Sequence, residues 1–222
     1  MKFTASVLGG TGLVGHFLTQ ELIADENCEK IIFITRKNTS LQHPKIETRI
    51  INFDHEPDYV KYIKGDVLFS CLGTTRAQAK SIRKHYLVDY HYQFRAAQAA
   101  AKNGVENYVL VSSPWSNIQS KNYYRKMKAE LERDVQNLGF KKIALIKPNG
   151  LAGKRKKPRF GETYGIRLFN ILAKCFPTLK KHQPIDAKKV AQIMLLMYYH
   201  NLTRDSILRT IERDELNKLL PA

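Results

Sequence analysis

Three groups of residues whose types and spacing could do chemistry follow one another along the chain. The first is Gly9-Gly10-Thr11-Gly12-Leu13-Val14-Gly15, with glycines three apart at 9, 12 and 15. Gly9 would permit a tight turn, and Gly12 would let the backbone approach a diphosphate with no Cβ in the way. Gly15 would let a helix pack close against a strand. A helix opening at this point would offer free N–H groups and the positive end of its dipole to an anion. A glycine turn kept for packing alone is the competing account. The second group is Thr35-Arg36-Lys37, about 20 residues on, where a site for NAD(H) would place an acid against the ribose 2′-hydroxyl. Arg36 could instead pair with a 2′-phosphate through two charge-assisted hydrogen bonds, with Lys37 beside it, which favours NADP(H) over NAD(H). Otherwise the two bases simply open an exposed loop. Asp54 stands where a side chain could accept from an adenine amino group, or could cap a helix before Pro57.

The third group is Ser112-Ser113 followed by Tyr124-x-x-x-Lys128. A separation of four puts Tyr124 and Lys128 on one helix face. Tyr124 would exchange a proton with a substrate oxygen while hydride moves to or from a nicotinamide. A free phenol titrates near pH ~10, and an adjacent ammonium from Lys128 would favour its ionised form. Lys128 could also hold ribose hydroxyls, and Ser113 would donate a hydrogen bond to the same substrate oxygen. An exposed tyrosine on a basic helix is the plainer alternative.

These groups need a scaffold that brings them to one edge. Short β-branched runs at Phe3–Leu8, Lys30–Thr35, Ile46–Ile51, Asp66–Cys71, Asn107–Val111 and Lys142–Lys147 read as strands. Helical stretches at Leu13–Ala24, Pro57–Lys64, Lys80–Lys102 and Tyr123–Leu138 separate most of them, and the link from Thr35 to Ile46 reads as a loop. Nearly continuous apolar strands alternating with helices predict an α/β fold, a doubly wound parallel sheet covered on both faces. The glycine turn then follows the first strand, and Ser112-Ser113 ends the fifth. Ligands in open α/β sheets bind beyond those strand ends. After Pro148 the rhythm gives way to a Gly- and Lys-rich loop, a helix near Ile166–Lys174, and a helix capped by Asp186 that runs to about His200. Ser206–Ile211 reads as one more strand. We expect a single domain over residues 1–222, with residues 149–222 forming a small substrate-side cap.

Composition narrows the partners. The 222 residues are 43% apolar and 26% charged, which is globular. No apolar stretch approaches the ~20 residues of a membrane span, and no cleavable signal pattern opens the chain. Cys28, Cys71 and Cys175 are odd in number and widely spaced, which predicts reduced thiols in a cytoplasmic protein. The histidines show no metal-ligand spacing, so no metal is expected. The net charge of +17 is uneven: residues 1–110 carry 14 bases and 11 acids, residues 111–222 carry 23 and 9. That excess is either a solvated surface or a field for an anion: a phosphorylated cofactor, an acidic substrate, nucleic acid or membrane phospholipid. No recognition motif supports a nucleic acid partner, and none is expected.

The glycine turn, Arg36, Cys71-Leu72-Gly73-Thr74-Thr75-Arg76, Ser112-Ser113 and Tyr124-x-x-x-Lys128 together resemble the atypical short-chain dehydrogenase/reductase group, and within it the Tat-interacting protein-like branch. Pro148-Asn149-Gly150, the segment Gly153 to Glu162 with Arg155 and Arg159, and Pro184-Ile185 before Val190-Ala191 extend the resemblance over nearly the whole chain. It implies a Rossmann domain with Gly9, Thr11, Gly12 and Leu13 along the pyrophosphate and Arg36 at the adenosine phosphate. It implies Leu72, Gly73 and Thr74 along the cofactor, Ser113, Tyr124 and Lys128 as the catalytic set, and Pro148 closing over the nicotinamide. The activity implied is that of an NADP(H)-dependent oxidoreductase acting on a small carbonyl or alcohol. A regulatory or scaffold protein that binds NADP(H) without turnover is compatible with the same likeness. Two positions depart from the pattern. Pro114-Trp115 stands where relatives more often have a small, glycine-containing turn, and Lys147 where many have arginine.

Overall fold

Every pairing in the main sheet is parallel. The computed structural model describes residues 1–153, 184–202 and 207–219. Its strands are β1 (Phe3–Leu8), β2 (Cys28–Thr35), β3 (Ile46–Ile50), β4 (Val67–Ser70), β5 (Asn107–Val111), β6 (Lys142–Lys147) and β9 (Leu208–Glu212). They lie in the order β3-β2-β1-β4-β5-β6-β9. A separate two-residue pair joins β7 (Leu151–Ala152) to β8 (Ile185–Asp186). The strand order reverses between β1 and β4, and that crevice is where open α/β sheets take their ligands.

Alternation along the strands builds two cores. Val67 and Phe69, Val109, and Ala144 and Ile146 face one side, packed under α1 (Leu13–Ala24) and α7 (Ala187–Leu202). Leu68, Tyr108 and Leu110, and Ile143 and Leu145 face the other. There they meet α2 (Glu56–Tyr62), α5 (Tyr92–Lys102) and α6 (Tyr123–Gln136). Each fully buried Leu, Ile or Phe stabilises by about 1.5–3 kcal/mol, so the doubly wound arrangement follows from strands that are apolar on both faces.

The helix expected over roughly Lys80–Lys102 runs from Ile82 to Lys102 through a π-helical turn, and a separate short helix precedes it. A short α3 (Arg76–Ala79) ends at Lys80, whose φ of 64° is left-handed. Ser81 then caps α4 (Ile82–Tyr86) by accepting from the Lys84 amide, and a π-helical turn over Leu87–His91 leads into α5. The described part of the expected substrate-side cap is built into the sandwich. The helix α7, opened by Asp186 accepting from the Lys188 amide at 2.8 Å, packs on α1, and β9 extends the sheet. A final helix, α8 (Arg213–Leu219), follows β9. The helix expected near Ile166–Lys174, Arg155, Arg159, Glu162 and Cys175 lie outside the described residues.

Candidate functional site

The glycine turn sits at the reversal of strand order. Gly9 has a φ of 81°, and a Cβ there would lie 2.6 Å from the Leu72 backbone nitrogen at the end of β4. The turn closes through the Gly12 amide donating to the Gly9 carbonyl at 2.9 Å. A Cβ on Gly15 would come within 2.4 Å of the Gly9 carbonyl oxygen, so this glycine sets how closely α1 lies on β1. Gly12 is different. It caps α1 with no side-chain hydrogen bond, and an added Cβ would meet only the Gly9 oxygen within the tight range, at 3.1 Å. Among the described residues only the Gly9 and Cys71 carbonyl oxygens come within 4 Å of that Cβ position, which leaves room beside the first amides of α1 that fits a diphosphate. Thr11 is exposed, and Leu13 packs beneath Gly153.

Beside the ends of β2 and β3 lies a cleft of about 420 Å³ lined by Arg36, Ile50, Ile51, Asn52, Phe53, Asp54 and Tyr92. Arg36 and Asp54 both line this cleft, whereas Lys37 is exposed and outside its lining. Asp54 does not cap α2; His55 holds that position. The Asp54 carboxylate instead accepts a 2.8 Å hydrogen bond from the Tyr92 hydroxyl. Burial first, and this bond second, push the Tyr92 phenol up to about 12. Tyr92 was not legible as a site residue, because its place in the cleft depends on the start of α5 packing against Phe53 beyond β3.

Ser113 is nearly buried past the end of β5, and its Oγ makes a 3.4 Å hydrogen bond to the Pro114 carbonyl. The turn that follows has Trp115 at a φ of 57°. This is the left-handed geometry that glycine takes without a steric penalty, which explains the glycine of the family pattern. The Arg125 guanidinium stacks over the Trp115 ring, 5.5 Å from its centroid. The loop is tied down by Glu132, which sequence reading missed. This buried carboxylate accepts from Ser112 and, at 2.8 Å, from Ser116, and pairs with Lys147 Nζ at 2.8 Å. Lys147 thereby fills the arginine position of the pattern with an ion pair.

Tyr124 and Lys128 lie one turn apart at the start of α6. Asn122 caps the helix, accepting from the Tyr124 and Arg125 amides. Lys128 is 3% exposed, with its Nζ 3.5 Å from Asp89 Oδ1. Asp89 Oδ2 accepts from the Thr74 amide at 2.8 Å, so one carboxylate joins Lys128 to the loop after β4. In that loop Gly73 is exposed, while Leu72 and Thr74 are half-buried; Pro148 is buried after β6. Asp89 was the other residue missed. One signal was present: it is the single acid between Asp66 and Glu106. Among the described residues no group of His, Cys, Asp or Glu could hold a metal, and no helix is long and apolar enough to cross a membrane.

A family model for NAD dependent epimerases and dehydratases matches residues 5–139, a span that holds the glycine turn, the Arg36 cleft and the Tyr124–Lys128 pair. The chain belongs to this family. Members of the NAD dependent epimerase/dehydratase family bind a nicotinamide dinucleotide, and the cradle at Gly12 fits one. "Protein FMP52, mitochondrial" of Candida glabrata is 36% identical over 177 residues, covering 79% of this chain and 74% of its own. A short chain dehydrogenase family protein from Francisella tularensis superposes with a TM-score of 0.63 at 14% identity, covering 97% of this chain and 99% of its own. MoeE5, solved with UDP-glucose and NAD, gives 0.68 at 15% identity, with 97% and 80% covered. Both superpositions show the shared fold. The curated relatives carry the FMP52 name, not that of the Tat-interacting protein-like branch, so the resemblance holds at the level of the family. The expected cytoplasmic location is overturned, because those relatives are named mitochondrial. Unpaired cysteines separate reducing from oxidising surroundings and carry no address beyond that.

Proposed function

We propose that this protein is an NADP(H)-dependent oxidoreductase acting on a small anionic carbonyl or alcohol, with Ser113, Tyr124 and Lys128 as its catalytic residues. The observation that carries the reading is the convergence on the carboxyl ends of β1, β2, β4 and β5 of an open diphosphate cradle, a guanidinium in the adenosine cleft, and a Tyr–Lys pair whose lysine is buried. Gly9, Thr11, Gly12, Leu13 and Gly15 form the turn for the diphosphate, and Arg36, with Lys37 nearby, meets a 2′-phosphate. Asp54 presents its second oxygen to the adenine, while Leu72, Gly73, Thr74 and Pro148 border the nicotinamide half.

When bound, the nicotinamide supplies or accepts the hydride. Ser113 Oγ orients the substrate oxygen, Tyr124 gives that oxygen a proton or takes one from it, and the Lys128 ammonium steadies the phenolate and holds the ribose hydroxyls. The substrate's charge is read from the segments that follow β4 and β5. Residues 73–88 carry Arg76, Lys80, Arg83 and Lys84, and residues 112–127 carry Lys121, Arg125 and Lys126, all exposed, with no acid in either segment. Such a rim concentrates anions at the mouth of a site.

The test is titration with NADPH and NADH, followed by a panel of carboxylated and phosphorylated carbonyls. NADPH binds more tightly than NADH, and Arg36→Ala removes most of the difference. Tyr124→Phe leaves coenzyme affinity within about twofold while abolishing turnover. Equal affinities in the wild type remove the NADP(H) assignment. Wild-type binding without turnover supports a protein that binds the coenzyme and does no chemistry.

A further inference from the structure

Beneath the Tyr124–Lys128 pair lies a buried polar unit to which the chemistry just described assigns no role. The Asp89 carboxylate is 1% exposed and His85 is 3% exposed, both on the segment that runs from α4 into the π-helical turn. Asp89 Oδ1 faces Lys128 Nζ at 3.5 Å, and Asp89 Oδ2 is held by the Thr74 amide at 2.8 Å. His85 Nε2 stands 3.6 Å from Asp89 Oδ2 and has no hydrogen-bond partner. The other ring nitrogen, Nδ1, is hydrogen-bonded with the Tyr123 hydroxyl at 2.8 Å. The His85 ring also lies against Tyr124, centroids 5.6 Å apart and planes 20° from parallel.

We infer that Asp89 and His85 are the positioning residues of this site, Asp89 for the Lys128 ammonium and His85 for the Tyr124 ring. The inference rests on the oxidoreductase reading for its purpose, but the contacts stand without it. A lysine has a flexible four-carbon stem, and a buried ammonium needs a fixed counter-charge to hold one geometry. Asp89 supplies the charge, and the Thr74 amide fixes the carboxylate, so the loop after β4 and the start of α6 keep one spacing. A buried ring nitrogen with no partner is costly, and isolated π-helical turns concentrate at functional sites. Both features lie on a single segment that touches both Tyr124 and Lys128. Among the described residues, α6 brings Lys128, Tyr123 and Tyr124 to face Asp89 and His85.

The experiment is a double-mutant cycle on coenzyme-free protein, followed by coenzyme titration. Lys128→Met leaves Asp89 as a buried, unpaired carboxylate; Asp89→Asn together with Lys128→Met leaves no charge. The double variant is expected to melt higher than Lys128→Met alone, by roughly 5 °C or more. Melting temperatures that fall additively overturn the role of Asp89. Asp89→Asn is expected to weaken NADPH binding about tenfold and to raise the rate at which an amine-reactive reagent labels Lys128 about tenfold. An unchanged labelling rate in folded Asp89→Asn protein overturns the assignment. His85→Ala is expected to lower kcat at least tenfold, with NADPH affinity within twofold and rescue by His85→Phe, which keeps the stacking. Equal kcat for wild type and His85→Ala overturns the role of His85, as does a His85→Phe no better than His85→Ala. Should the wild type bind neither coenzyme, the oxidoreductase reading fails, while the melting cycle still decides for or against Asp89.

Discussion

Two glycines of the same turn should respond differently to alanine, one losing stability and the other coenzyme affinity alone. At Gly15 a Cβ would lie 2.4 Å from the Gly9 carbonyl oxygen and 2.7 Å from Gly10 Cα. Both are backbone atoms of the turn and cannot swing aside as a flexible side chain would. Alanine in a helix interior gains about 0.8–1 kcal/mol over glycine, but forcing a methyl into packed backbone costs about 1–3 kcal/mol. Gly15→Ala is therefore expected to destabilise by about 1–2 kcal/mol net, and to weaken coenzyme binding by displacing α1. At Gly12 the backbone is extended, with φ −76° and ψ 176°, which alanine adopts freely. Its Cβ would meet the Gly9 oxygen at 3.1 Å and otherwise enter the cradle. Gly12→Ala should leave the urea midpoint nearly unchanged while costing about 1–3 kcal/mol of coenzyme affinity, roughly fivefold to 150-fold. Urea denaturation and fluorescence titration with NADPH separate the two quantities. If Gly12→Ala binds NADPH as tightly as the wild type, the turn does not cradle a diphosphate and the reasoning fails at its first step.

Two further predictions concern the scaffold. Lys147→Met strands the buried Glu132 carboxylate, which keeps only its serine partners. It should cost about 3–5 kcal/mol in urea denaturation, as expected when one member of a buried ion pair is lost; a cost below about 1 kcal/mol would show that the pair does not hold the loop. The second concerns alkaline pH. Burial and the Asp54 bond push Tyr92 up to about 12, and burial likewise raises Tyr59, Tyr108 and Tyr198. A phenol that titrates higher in the folded state contributes stability that is fully present below its unfolded value near pH ~10 and declines as pH rises through the folded one. The melting temperature should fall between pH ~10 and ~12, in step with phenolate absorbance, and a flat profile over that range would contradict the burial of these rings.

Much of this molecule is local. Nearly continuous apolar runs at Val67–Ser70 and Lys142–Lys147 mark strands buried on both faces, and that alone calls for helices on both sides of a parallel sheet. The glycine spacing, Arg36 after β2 and Tyr124 four residues before Lys128 were likewise legible, because each role depends on a residue's own backbone or on one turn of helix. The boundaries of α3 and α4 were not, since Lys80 adopts a left-handed geometry that no propensity for lysine foretells.

The sequence by itself determined the sheet, its order of elements and the types of group available at the strand ends. The tertiary structure alone decided which groups meet across them. Asp89 reaches Lys128 across 39 residues, Lys147 reaches Glu132 from the next strand, and Tyr92 takes hold of Asp54 from another helix. Periodicity records which face of an element is apolar. The partner of a buried charge is chosen by how those faces stack, and that choice is made only once the sheet has closed.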